Sequence, residues 1–214
     1  MQLNNRSFLS SIMPVTKHLL VINFLVWLAT IVFIQARVID LNQWLALHFW
    51  QSPDFNLVQL VTYMFLHANF MHIFFNMFSL WMFGSLLERV MGSKRFLTYY
   101  LVCGIGAGLI QELTWHLSGL NFYGITLGAS GAVFGILLAF GMLFPNMKMF
   151  IIPFPFPIKA KWVVLGYGLL ELYFGITGEV ADVAHYAHLG GMVFGIILIL
   201  YWKKTGKLPR NGIY

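Results

Sequence analysis

Charged residues are scarce in this sequence. Its 214 residues include 13 Lys or Arg and seven Asp or Glu, so that 9% are charged while 59% are hydrophobic. A soluble globular domain carries about 25% charged residues, and this chain has too few of them to cover a water-exposed surface. Its mean hydropathy of +0.78 indicates a membrane protein instead. At about 20 residues a span, the length allows about six helices and predicts one membrane domain without a separate soluble one.

Cysteine is almost absent, and the sequence also lacks a signal-peptide cleavage site and a clustered basic patch. The single Cys103 excludes an internal disulfide and lies inside an apolar run, so it indicates neither a redox compartment nor catalysis. Residues 1–10 are largely polar and no small-residue cleavage site follows the first apolar stretch, so we expect the first span to be retained. The net charge of +6 does not predict nucleic-acid binding, because the basic residues are dispersed between apolar runs.

Six apolar stretches are candidate transmembrane helices. They cover residues 18–36, 70–87, 96–115, 129–144, 162–176 and 187–202. Several are short or carry polar residues, which suits helices that are surrounded by other helices. The sequence therefore predicts an all-α, polytopic fold of six transmembrane helices. Residues 1–17 form an N-terminal segment, 18–202 the membrane domain and 203–214 a basic tail.

The basic residues give the six spans an orientation. If the chain crosses the membrane six times, twelve of the 13 Lys and Arg residues lie on one side of the membrane, and only Arg37 lies on the other. The positive-inside rule then makes both termini cytoplasmic. The acidic residues that gather at the outer side are Asp40, Asp54, Glu112, Glu179 and Asp182.

Two connections have a distinctive composition. The outer connection 37–69 is rich in apolar and aromatic residues, so we expect it to lie in the membrane interface and to carry short amphipathic helices. The inner connection 145–161 contains Pro153, Pro155 and Pro157, a density of proline that prevents a regular helix. It separates the fourth span from the fifth.

Polar groups are costly inside a bilayer, so the few in the spans need an explanation. His72 and Asn76 are four residues apart and share one face of the second span. Ser130 and His188 begin the fourth and sixth spans at similar depth, so all four side chains could meet in one pocket. The remaining candidates are Glu171 in the fifth span and His185 near the start of the sixth.

Ser130 is the candidate nucleophile. It stands between Gly128 and Gly131, which allow a tight turn and a close helix neighbour, and the backbone N–H groups at a helix start are unpaired. A fourth span of about 16 residues covers about 24 Å of a hydrocarbon core of about 30 Å, so Ser130 would begin below the outer surface. Hydrolysis at that depth requires a water-filled dip.

His188 is the best-placed base for Ser130. No carboxylate is evidently near enough to complete a triad, so the residues predict a Ser-His dyad without a metal or cofactor. Gly191 and Gly195 follow on a small-xxx-small face, which would let the sixth span pack closely on the start of the fourth.

Each residue also has a structural interpretation when it is taken alone. The glycine-flanked serine is more often a helix-packing face, and His72 and Asn76 could simply bond across helices. Glu171 is interpreted as a snorkelling or helix-pairing residue near the outer end of its span. His67 and His185 are predicted to be interfacial.

These residues resemble the motifs of the rhomboid proteases. Gly128-Ala129-Ser130-Gly131 is similar to the nucleophile motif of that family, and Ala187-His188-Leu189-Gly190-Gly191 to its histidine motif. The spacing of His72 and Asn76 resembles its His-xxx-Asn element, and Gly84, Glu88 and Gly92 the signature after its second span. The resemblance runs from about residue 58 to 195, with four motifs in the correct order.

The resemblance implies an intramembrane serine endopeptidase with six helices. It implies that Ser130 attacks the peptide bond with His188 as general base, and that the Ser130 N–H, His72 and Asn76 hold the oxyanion. It also implies single-span membrane-protein substrates, cut near the outer end of the span where helix-breaking residues let the chain unwind. Phe134 stands where many bacterial relatives have a tyrosine that stacks on the histidine, and stacking can survive without the hydroxyl.

Competing functions make different demands on the sequence. A rhomboid-like pseudoprotease should lack the serine or the histidine, and both are present. A transporter should show coupled charges at the midplane, where only Glu171 is a candidate. A metalloprotease would need a His-Glu-xx-His helix and an aspartyl protease two intramembrane aspartates, and neither is found. The compact chain favours a bacterial plasma membrane over an organelle membrane. Its oligomeric state is not indicated.

Overall fold

Six long helices dominate the computed structural model, which describes residues 12–119, 124–150, 156–179 and 183–209. They comprise α1 (Pro14–Gln35), a helix at Phe70–Met91, α6 (Ser93–Leu117), α7 (Ser130–Leu143), α8 (Ala160–Thr177) and α9 (His185–Lys204). In Phe70–Met91, the α-helices α4 (Phe70–Ser79) and α5 (Ser85–Met91) flank a π-helical stretch, Leu80–Gly84.

The long helices confirm an all-α membrane fold. Four of them, α1, Phe70–Met91, α6 and α9, are long and apolar enough to cross a membrane. The helix α7 is apolar but has only 14 residues, and α8 carries both Lys161 and Glu171. The arrangement is consistent with the six predicted spans. The predictions for Arg6, Pro153, Pro155, Asp182 and Arg210 lie outside the described residues.

Glu88 fixes where the first helix begins. Its carboxylate accepts hydrogen bonds from the backbone N–H groups of Val15 and Thr16, at 2.9 and 2.8 Å, and from the Thr16 hydroxyl. These N–H groups belong to the first turn of α1 and have no partner within the helix. The side chain of Ser93 donates to the same carboxylate, so Glu88 joins the starts of α1 and α6.

The connection 37–69 folds against the C-terminal end of α6. It contains the short helices α2 (Leu41–Leu45) and α3 (Gln59–Thr62), a 3-10 turn at Tyr63–Phe65, and the strand β1 (Leu47–His48). The predicted short helices are therefore present. The Trp50 N–H donates to buried Glu112 on α6, and the Gln59 amide donates to the carbonyls of Trp44 and Asp54. This connection is consequently a packed part of the domain.

Two short strand pairs were not predicted. Strand β1 pairs antiparallel with β2 (Ile125–Thr126), and β3 (Lys148–Met149) pairs antiparallel with β4 (Ile158–Lys159). The Gly128 N–H also donates to the Tyr63 carbonyl at 2.9 Å. The first pair and this hydrogen bond fasten the segment that precedes α7, and so they fix the start of that helix.

Three helices, α6, α7 and α9, form the core of the bundle. Tyr99 on α6 is fully buried, and its hydroxyl donates to the Gly135 carbonyl on α7 at 2.7 Å. Tyr63 donates in the same way to the Gly104 carbonyl on α6. In contrast, α1 and α8 expose most of their apolar side chains, as expected for helices that face lipid. The serine and histidine motifs lie on the buried helices.

Candidate active site

Ser130 is the first residue of α7, and its side chain is half-buried. Gly128 immediately before it has a φ of +128°, a conformation that side-chain-bearing residues rarely adopt. The turn leaves the N–H groups of the first turn of α7 without partners within the helix. The serine hydroxyl and several backbone donors therefore share one helix end.

His188 lies directly against Ser130. The two residues are 58 positions apart, and the Nε2 atom of His188 is 2.7 Å from the Ser130 Oγ atom. The histidine belongs to the first turn of α9 and is 7% exposed. A serine hydroxyl and an imidazole at this distance have the geometry that a nucleophile and its general base require for acyl transfer.

Phe134 stacks on the imidazole of His188. The ring centroids are 4.2 Å apart and the ring planes differ by 9°, so the stacking expected without a tyrosine hydroxyl is present. Phe134 follows Ser130 by one turn of α7 and lies on the same face. Ser130 and the ring that stacks on His188 therefore come from a single helix.

A carboxylate lies beside the histidine, contrary to the sequence prediction. The Oε2 atom of Glu171 on α8 is 2.9 Å from Nδ1 of His188 and 2.7 Å from Nδ1 of His185. The interpretation of Glu171 as a helix-pairing residue is confirmed, because its carboxylate joins α8 to α9. The alternative of a snorkelling residue is wrong, since the side chain is 13% exposed and turned toward α9. His185 is buried, and its place at the membrane interface stays a prediction. Sequence reasoning missed this group, although the i, i+3 histidine pair and a lone intramembrane carboxylate were visible signals.

These three residues also have a spacing that a metal could bridge. Among the described residues, Glu171, His185 and His188 offer ligand atoms within 4.8 Å of one another. Imidazole nitrogen and carboxylate oxygen are both donors that Zn²⁺ accepts. Both Nδ1 atoms already meet a carboxylate oxygen at hydrogen-bonding distance, which accounts for the cluster without an ion. The expectation of a metal-free site remains a prediction.

His72 borders the same serine from the other side. The Asn69 side chain caps α4 by accepting from the His72 N–H, which places His72 in the first turn. A Cβ atom at Gly128 would lie 2.7 Å from His72 Nε2 and 3.7 Å from Ser130 Oγ, so a side chain there would displace His72. The Ala68 N–H donates to His72 Nδ1 at 3.4 Å. A neutral ring then carries its proton on Nε2.

Asn76 and His67 complete this side of the site. The Asn76 side chain is buried and donates one N–H to the His72 carbonyl at 3.1 Å. His67 is 3% exposed, and its ring lies edge-on against His72. Its place at the membrane interface stays a prediction. Burial, together with the nearby His72, lowers the pKa of His67 from 6.5 to about 3. His67 is therefore neutral and packs against His72 without adding charge.

Glycines allow the helices of the site to meet. A Cβ atom at Gly191 on α9 would overlap the Gly131 carbonyl of α7, and one at Gly131 would overlap Ala107. Gly195, one turn further along α9, faces the Tyr99 hydroxyl instead. The contact between Gly191 and Gly131 lies next to both Ser130 and His188.

Comparison with known proteins gives a consistent result. A family model of the rhomboid domain matches residues 54–204. Rhomboid protein 1, mitochondrial, of Saccharomyces cerevisiae is 33% identical over 147 residues, which cover 69% of this chain and 42% of the yeast protein. Presenilin-associated rhomboid-like protein, mitochondrial, of Mus musculus is 30% identical over 189 residues, which cover 84% of this chain and 49% of the mouse protein. Rhomboid-like protein 11, chloroplastic, of Arabidopsis thaliana is 30% identical over 198 residues, with shares of 78% and 64%.

The same relatives bear on length and location. The chain spans less than two thirds of the length of each of them. Their names refer to mitochondria and to a chloroplast, so they do not support the predicted bacterial plasma membrane. The helices and the family match support a multi-pass integral membrane protein.

Proposed function

This chain belongs to the rhomboid family, and we propose that it is an intramembrane serine endopeptidase. Its reaction is hydrolysis of peptide bonds in or near the transmembrane segments of membrane-protein substrates. The observation that carries the proposal is the 2.7 Å contact between Ser130 Oγ and His188 Nε2 at the ends of two packed membrane helices. A pseudoprotease of the same fold would lack at least one of these two residues.

The proposed reaction begins with proton transfer. His188 Nε2 takes the hydroxyl proton as Ser130 Oγ attacks the scissile carbonyl carbon, and a tetrahedral oxyanion forms. Collapse of this intermediate breaks the C–N bond, and His188 returns the proton to the leaving amine. Water then attacks the acyl-enzyme with His188 again as base, which releases the new carboxyl terminus and regenerates Ser130.

The oxyanion has three candidate donors. They are the backbone N–H of Ser130, the Nε2–H of His72 and the side-chain amide of Asn76. The bond from Ala68 to His72 Nδ1 supports this role, because it leaves the Nε2 proton directed toward the Gly128–Ser130 turn. Asn76 uses one N–H on the His72 carbonyl and has a second to offer.

Single-span membrane proteins are the proposed substrates. The reacting residues lie on helices of a membrane domain, so a substrate in the same bilayer would reach them from the side. The charge distribution supports an orientation with both termini on the cytoplasmic face, which puts Ser130 and His188 in the outer half.

The test is covalent labelling of the folded protein. Purified, detergent-solubilised chain is treated with a fluorophosphonate probe, and the adduct is located by peptide mass spectrometry. We expect one adduct per chain, on Ser130, because among the described serines it is the one whose hydroxyl meets an imidazole. An unlabelled protein that is folded and monodisperse would contradict the proposal and favour a pseudoprotease or transporter.

His72→Ala and Asn76→Ala should each slow the reaction without abolishing it. Removal of one oxyanion donor costs about 10- to 1,000-fold in rate when the remaining donors stay in place. The measurement is the rate constant of labelling and of substrate cleavage. His116→Ala is the control, because the His116 ring lies tilted against Trp50 of the connection 37–69. Rates equal to that control would restore a structural role for both residues.

A further inference from the structure

Glu171 and His185 extend the contact between Ser130 and His188 into a continuous chain. Ser130 Oγ meets His188 Nε2 at 2.7 Å, His188 Nδ1 meets Glu171 Oε2 at 2.9 Å, and the same oxygen meets His185 Nδ1 at 2.7 Å. His185 and His188 are three residues apart on one face of α9, whereas Glu171 comes from α8. The carboxylate is thus shared by two ring nitrogens that converge on one atom.

This geometry selects one tautomer of His188. A neutral imidazole has one N–H and one lone pair, and only the form with its lone pair on Nε2 can accept the serine proton. An ionised carboxylate offers lone pairs alone, so the nitrogen that faces Glu171 must carry the proton. That nitrogen is Nδ1, which leaves Nε2 free to act as the base.

The carboxylate also meets the charge that develops during the reaction. When Nε2 takes the serine proton, His188 becomes a cation at a position where its side chain is largely buried. An opposite charge 2.9 Å away stabilises that cation more strongly than it would in water. Phe134 covers one face of the ring, so Glu171 and Phe134 together fix its position and its plane.

We infer that Glu171 is a positioning residue that completes a serine-histidine-carboxylate relay, and that His185 holds the carboxylate in place. The inference rests on the proposed serine hydrolysis and adds residues that act through His188. Glu171 does not touch the substrate. His185 acts one step further away, since its Nδ1–H orients the oxygen that Glu171 presents to His188.

The first experiment compares Glu171→Ala with wild type in fluorophosphonate labelling. We expect the labelling rate constant to fall about 10²- to 10⁴-fold, as for loss of the orienting carboxylate from a triad, while the final extent stays at one probe per chain. For substrate cleavage, the loss should be in kcat, with KM changed less than about threefold. Glu171→Asp should recover part of the rate, because it keeps the charge.

The progress curve separates a positioning role from a structural one. If Glu171 only joins α8 to α9, then Glu171→Ala reduces the folded fraction, and the molecules that remain folded label at the wild-type rate constant. Glu179→Gln is the matched control, because Glu179 is an exposed carboxylate that accepts from Tyr173 and lies away from His188. It should label like wild type.

A double-mutant cycle tests the part played by His185. His185→Phe keeps an aromatic ring next to Phe174 but removes the N–H, and we expect a loss of about 3- to 30-fold. If His185 acts through Glu171, the double variant Glu171→Ala/His185→Phe is no slower than Glu171→Ala alone. Full additivity of the two losses would overturn the relay. If the wild type is labelled and Glu171→Ala is labelled at the same rate, the role of Glu171 is overturned but the proposed function stands. If the wild type is not labelled, the proposed function itself is overturned.

Discussion

Ser130→Ala and His188→Ala are each expected to lower substrate cleavage by about 10⁴- to 10⁶-fold, which is below detection in most membrane-protease assays. The first change removes the attacking oxygen, and the second leaves the hydroxyl protonated because its 2.7 Å partner is gone. Since the two residues act as one unit, the double variant should be no worse than either single one. The measurement is cleavage of single-span substrates by protein reconstituted in vesicles.

The folded state must survive these changes for the result to be informative. Ser130→Ala removes one half-buried hydroxyl, so we expect little loss of stability. His188→Ala empties the space between Phe134 and Glu171, so His188→Phe serves as a second variant that keeps the ring stack. Ser118→Ala is the control, because that hydroxyl donates to the carbonyl of Trp115, three residues before it on the chain. Cleavage that persists in Ser130→Ala would place the nucleophile elsewhere.

The helices were the most predictable part of the molecule. Each predicted span contains the apolar body of one observed helix, because lipid exposure requires long apolar segments whatever they pack against. The ends were less predictable. The first helix starts at Pro14 rather than residue 18 because Glu88 caps it, and no property of residues 14–18 shows that a carboxylate from another helix is present. Similarly, Phe70–Met91 continues past residue 87 to the turn at Gly92.

The sequence motifs of the candidate site were predictable, but the contact of Glu171 with His188 was not. Ser130, His188, His72 and Asn76 occur in recognisable local patterns, and the structure brings the first two into contact. Glu171 has no such pattern. It lies 14 and 17 residues before the two histidines, so its contact with them depends on how α8 packs against α9. A hydropathy profile also does not show whether a single carboxylate in a helix is buried.

The outer connection shows the same limit. Its aromatic content correctly predicted short helices, but two-residue strands such as β1 and β2 carry too few residues for any periodicity to appear. Their pairing depends on where the rest of the bundle holds the two segments. It matters for function because β2 leads directly into the Gly128–Ser130 turn.

Gly191→Ala should cause the largest loss of stability among small changes near the site. A Cβ atom there would overlap the Gly131 carbonyl oxygen and lie 2.7 Å from its carbon, and both atoms are backbone. No side-chain rotation can relieve that overlap, so α9 must move away from α7. We expect a cost of about 3 kcal/mol or more, at the upper end of overpacking substitutions, measured as a lower unfolding midpoint in detergent.

The same displacement should reach the reacting groups. Gly191 follows His188 by three residues on one face of α9, and Gly131 follows Ser130 directly, so separating the glycines lengthens the contact between Oγ and Nε2. We therefore expect loss of labelling even in the molecules that remain folded. Gly166→Ala is the matched control, because a Cβ atom at that position in α8 has no neighbour within 4 Å and Ala favours the helix by about 1 kcal/mol. If Gly191→Ala were as stable and as readily labelled as Gly166→Ala, the close approach of α7 and α9 could not be what brings the base to the nucleophile.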